Sequence, residues 1–313
     1  MNSTKEQDLN KNSPKKEDLD NKQVQSYIKE KILIGHTFAV NCLIKLNDNI
    51  IISGSEDKSI KIWYIDSGQL KTSLTGHTNW VYCLVKLNES TIASGSYDNS
   101  IKIWDIDSGK CLKTIIGHTF SVCCLIKLNG NVIISGSQDN SIKFWNVDSG
   151  QCLKTILGHT NSVYCLMILN ESTIISGSYD KSIKVWNIES GKCLKIIQGH
   201  TDWVRCLIKI NETTIISASQ DNSIKAWNLN SGQCLKILQG HTDGVLSLIR
   251  LNETTIVSGS QDYSIKIWNI YSGQCLKTYQ VHSGNVLSLL KLNETTIASA
   301  SADKSISIWN INN

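Results

Sequence analysis

The side chains with the greatest capacity for chemistry in this chain of 313 residues are its histidines, and each comes with partners. All seven, His36, His77, His118, His159, His200, His241 and His282, stand 41 residues apart. Seventeen residues after each comes a serine: Ser53, Ser94, Ser135, Ser176, Ser217, Ser258, Ser299. Four further on comes an aspartate: Asp57, Asp98, Asp139, Asp180, Asp221, Asp262, Asp303. Such a constellation can attack an acyl carbon, with serine as nucleophile, histidine as base and aspartate as orienter. Seven identical active sites in one chain would be redundant, whereas a sevenfold repeat needs seven copies of a structural fastener. The count also leaves no spare histidine for a metal. A structural role is therefore expected, with no catalytic residue, metal or cofactor.

The elements that must position these residues follow from the same period. Residues 27–313 number 287, which is seven units of 41. Within a unit the apolar residues recur with a period near two, so the unit is built of strands. In the second unit, 80–87, 91–96, 100–104 and 110–115 read as strands, parted by turns at 88–90, 98–99 and 107–109. Four short antiparallel strands, seven times over, predict an all-β fold, a seven-bladed β-propeller. The last unit stops after its third strand, while residues 28–34, Ile-Lys-Glu-Lys-Ile-Leu-Ile, form a strand with no blade of their own. Pairing the two would close the ring and remove two exposed sheet edges. Residues 1–26 carry five Lys, five Asp or Glu and the only proline, and read as a disordered polar tail ahead of the propeller at 27–313.

Each unit also carries a signature: Gly-His, then Ser-Gly-Ser-x-Asp, then Ile-Lys-Ile-Trp-Asp, as in Gly76-His77 and residues 94–98 and 101–105. In this the chain resembles the WD-repeat (Trp-Asp) β-propeller family, from about residue 27 onward. It departs from the pattern in places. Only Trp104-Asp105 is the literal dipeptide; five units have Trp-Asn and the first has Trp63-Tyr64. Val281 replaces the glycine before the last histidine, where a looser loop is expected. The resemblance implies a hydrogen-bonded chain inside each blade. It would run from a tryptophan (Trp63, Trp104, Trp145, Trp186, Trp227, Trp268, Trp309) through the serine and histidine to the aspartate. The donor and acceptor inventory agrees: indole only donates, carboxylate only accepts, and serine and histidine relay.

The resemblance further implies that the loops bearing histidine and aspartate open on one face, which commonly docks peptides or proteins. Three positions per blade are expected there: three and five after the histidine, and the one before the aspartate. Fourteen of the 21 aromatic residues are not blade tryptophans, and six of these fall in the 21 face positions. They are Trp80, Tyr82, Tyr97, Tyr164, Tyr179 and Trp203, crowded into blades two, four and five. Aromatics gathered on one face mark recognition surfaces. Ser121 and Cys123 of blade three would form a shallow floor between the walls. Arg205 and Glu56 are the only charges in the set. The six aromatics and Arg205 are the expected partner-binding residues, and the six aromatics are expected to face solvent. The aromatic walls would suit an arginine or methylated lysine of a partner.

The remaining features exclude other classes. Net charge is +4 and the pI about 8.4. The repeated lysines, such as Lys61, Lys102 and Lys143, are spread around the ring and form no stripe for nucleic acid. No apolar run approaches a membrane span, and residues 1–16 lack a signal-peptide core. Ten of the eleven cysteines follow two ladders of step 41 and read as small buried hydrophobes in a reducing compartment. The expected protein is cytoplasmic or nuclear, off the membrane, and monomeric as a propeller within a complex. Its expected function is a non-catalytic scaffold that docks a peptide or protein segment across blades two to five. The alternative is a regulatory subunit or substrate receptor of a larger enzyme assembly.

Overall fold

Residues Ile50–Ser55 read Ile-Ile-Ile-Ser-Gly-Ser, and every one of them is buried. A strand without a polar face needs cover on both sides. It finds that cover in a ring of blades. The structure, a computed structural model, describes residues 29–311, so the tail expected over 1–26 lies outside the described residues. Strands β1 to β28 follow in chain order. Blade one contains β2 (Val40–Asn47), β3 (Ile50–Ser55), β4 (Ile60–Tyr64) and β5 (Leu70–Leu74), antiparallel and side by side in that order. Five further blades repeat it. The first strands of neighbouring blades touch around the axis, and the last reaches the first.

The apolar core lies between blades. Ile52, Ile62 and Leu74 of blade one, for example, pack against Val81, Leu84 and Trp104 of blade two. Close approach sets the small residues of the Ser-Gly-Ser run. A Cβ on Gly54 would stand 2.7 Å from both the Cys42 sulfur and Val81 of the next blade. The inner cysteine ladder fills this seam. Cys42, Cys83, Cys124, Cys165 and Cys206 are largely buried, and burial pushes their thiols up, to about 12 for Cys42. The outer ladder departs from expectation. Cys111, Cys152, Cys193, Cys234 and Cys275 are exposed, because the outermost strand has a sheet neighbour on one side only.

The ring closes as its strand count requires. The sheet of blade seven runs β1 (Lys29–Ile34), β28 (Ser305–Asn310), β27 (Thr296–Ser301), β26 (Val286–Lys291). Ile34 pairs with Ser305 and Leu33 with Ile306. Leu33 is buried beside Val40 and Trp63 of blade one. The N-terminal strand thus completes the last blade and seals it to the first.

Much of the surplus positive charge is spent on staples between blades. Lys45 donates to the Leu292 carbonyl, Lys86 to Leu46, Lys209 to Leu169 and Lys291 to Leu251, each in the preceding blade. Lys154 and Lys195, on outer strands, donate to Ile188 and Leu229 of the following blade.

Candidate docking face

Each histidine lies in the first half of the loop between an outer strand and the next inner strand, and each aspartate sits in the turn between the second and third strands. The serine lies on the second strand and the tryptophan on the third. In six blades the indole Nε1 stands 2.7–2.8 Å from the serine Oγ. The serine Oγ is 2.6–2.7 Å from the histidine Nε2 in all seven. The histidine Nδ1 is 2.6–2.7 Å from the aspartate Oδ2 in the same six blades. A carboxylate only accepts, so Nδ1 carries the proton, Nε2 accepts from the serine hydroxyl, and the serine oxygen accepts from indole.

The aspartate does more than end this chain. Asp57 also accepts from the Thr37 and Ser59 backbone N–H groups and the Ser59 hydroxyl. Burial alone would raise the seven carboxyls; the bonds from histidine, serine and backbone outweigh it and hold them well below the usual carboxylate range. Burial pushes His159, His200 and His241 down, against the pull of their aspartates. Two further serines per blade, two before and two after the aspartate, join the network. Their recurrence at step 41 was the signal that could have found them.

Blade seven is the exception. Val281 is buried beside Tyr279 and Trp309, so its loop is packed rather than looser. A Cβ at the matching Gly117 would lie 2.9 Å from its blade tryptophan. Where valine takes that space, the Trp309–Ser299 bond is 3.2 Å and the His282–Asp303 bond 2.9 Å.

The loop face above these networks is not uniform. In blade two, Trp80, Tyr82 and Tyr97 touch mutually, with ring centroids 5.5–6.3 Å apart. Across blades four and five, Tyr179 stacks on Trp203 at 3.6 Å, with Tyr164 beside both. The Arg205 guanidinium lies over Tyr164. Trp80 and Tyr97 are exposed, at 38 % and 42 %. Tyr82, Tyr164, Tyr179 and Trp203 are half-buried rather than solvent-facing. Tyr179 and Trp203 cover each other. Tyr82 and Tyr164, five residues after their histidines, sit on inner strands and line the mouth of the central channel. Ser121 and Cys123 are buried beneath.

Two exposed rings escaped the sequence expectation. Phe38 and Phe120, at 57 % and 59 % exposure, stand two residues after their histidines on blades one and three. They are two of the three phenylalanines in the chain, both at one repeat position. That coincidence was the available signal.

The comparisons with known proteins agree with this architecture. The family model described as WD domain, G-beta repeat, matches residues 28–64, 68–105, 109–146, 150–187, 191–228, 232–269 and 273–310. Each match runs from an outer strand to the third strand of the next blade, the offset that closes the ring. Among solved structures, the WD40 β-propeller domain of Doa1 is 26 % identical, with a TM-score of 0.81. The match covers 90 % of this chain and 96 % of that one. No curated protein matches the chain.

Proposed function

The chain belongs to the WD domain, G-beta repeat family, and from that premise we propose that it is a non-catalytic scaffold docking a peptide or protein segment on its loop face, across blades two to five. Propellers of this family mediate protein interactions. The observation that carries the reading is the set of exposed rings on neighbouring loops: Trp80 and Tyr97, flanked by Phe38 and Phe120. Large rings kept in water on one face offer the contact area of interface hot spots. The serines of the repeated constellation support a role without catalysis. Each is fully buried, takes a hydrogen bond from indole and gives its own proton to histidine, so it offers no accessible nucleophile.

The test is affinity purification from native cells with the full chain and with a Trp80→Ala/Trp203→Ala variant. The reading expects a defined set of proteins retained by the first and lost from the second. Identical sets would sink it, and turnover of any substrate by the purified chain would revive an enzyme.

A further inference from the structure

We propose that Arg205 anchors the docked segment by taking one of its carboxylate side chains, an aspartate or glutamate, at the mouth of the central channel. This rests on the docking reading above and adds what the docked segment must carry. Arg205 is the second residue of an inner strand (Val204–Lys209), which sets it on the channel wall. With Tyr82, Tyr164 and Leu246 it lines a cavity of about 130 Å³. Its guanidinium carbon lies 4.7 Å from the Tyr164 ring centroid and 5.7 Å from that of Trp203, and the two rings are within 8° of parallel. The chain's own cation therefore occupies the aromatic walls expected to receive a partner's arginine or methylated lysine.

Stacking engages the faces of a guanidinium and leaves its N–H edge, a planar fork that matches a carboxylate. Among the described residues no Asp or Glu oxygen comes within 4.0 Å of Arg205, in contrast to Lys45, Lys86 and Lys209, each paired with a nearby acid. Glu56, the other charge of the face set, stands on blade one, across the ring from blade five. The flanking groups are neutral. Burial raises the Tyr82 and Tyr164 hydroxyls, which stay protonated, and the Tyr164 oxygen, beside Gln138, accepts from Arg205 and helps to fix the guanidinium. A single half-buried cation with neutral neighbours suits one carboxylate. A doubly charged phosphate would call for several converging cations.

The test exposes the full-length protein to an immobilised library of random heptapeptides, N-acetylated and C-amidated so that only side chains carry charge. Selected peptides should share an aspartate or glutamate at one position. Exchanging it for asparagine or glutamine should weaken binding to the wild type at least about tenfold, yet to Arg205→Gln by less than about twofold. Arg205→Lys, which keeps the charge but loses the fork, should fall between. Selected peptides without a common acid, or an equal penalty in wild type and Arg205→Gln, would overturn the proposal. If such peptides are still lost by Trp80→Ala, the docking reading survives alone. If no selected peptide is sensitive to Trp80→Ala, the docking reading fails, and the carboxylate anchor with it.

Discussion

Tyr263 occupies a backbone position that asks for asparagine or glycine. The residue after each repeated aspartate has a left-handed conformation, φ 68–74°, in all seven blades. Asparagine fills it in three blades, and lysine or tyrosine in the others. A bulky side chain there costs about 1 kcal/mol or more. Because Tyr263 is largely exposed, Tyr263→Asn should raise stability by about 1 kcal/mol, read as a higher urea midpoint. An unchanged or lower midpoint would count against it. The repeated aspartates fix the response to acid. Their folded carboxyls lie below the unfolded value of about 3.9, so their stabilisation is complete above that pH and is lost as pH falls towards the folded values. The depressed His159, His200 and His241 act in the same direction, with a loss that begins below about pH 6.5. The melting temperature should therefore decline gently below pH 6.5 and steeply below pH 4. A rise over that range would contradict the assignment. The residues of this network were legible in sequence because a strict period exposes every member. The left-handed turn was not, since lysine and tyrosine there give no sign of it.

At the scale of elements, closure of the ring makes the sharpest demand. Leu33 is buried against blade one, and β1 supplies the outer strand of blade seven. Deleting residues 1–34 removes both and leaves β28 as an open edge prone to aggregation. Deleting 1–24 spares β1. Calorimetry of the two truncations should find the longer one much less stable or aggregated and the shorter near wild type. Equal melting temperatures would refute the closure. This strand was readable because the last unit lacks a fourth strand and residues 28–34 have no other partner. The outer cysteines were misread for a physical reason. An outermost strand is covered on one side only, so period alone does not say which of its residues the neighbouring blade covers. The half-burial of Tyr82, Tyr164, Tyr179 and Trp203 was likewise hidden, because it depends on contacts between rings on different strands and blades.

Across the whole molecule, the invariant residues hold seven blades in one geometry, and the loop face is where blades differ. Blade two presents Trp80 and Tyr97, blade three Phe120, and blade six Asp243, Gly244 and Gln261, with no ring, at equivalent places. The opposite face carries turns such as those of Glu89 and Glu212, each paired with a lysine three residues before it. The measurement that separates the faces is the affinity of the strongest captured partner for four single variants, taken at a temperature where all are folded. Trp203→Ala removes a stacked ring and should lower the melting temperature more than Trp80→Ala. Both should weaken the partner at least about tenfold, the loss of about 1.4 kcal/mol or more expected of an aromatic anchor. Glu89→Ala and Glu212→Ala should bind within about twofold of wild type, since exposed ion pairs contribute little. If the glutamate variants lose the partner and the tryptophan variants keep it, the working surface is the other face.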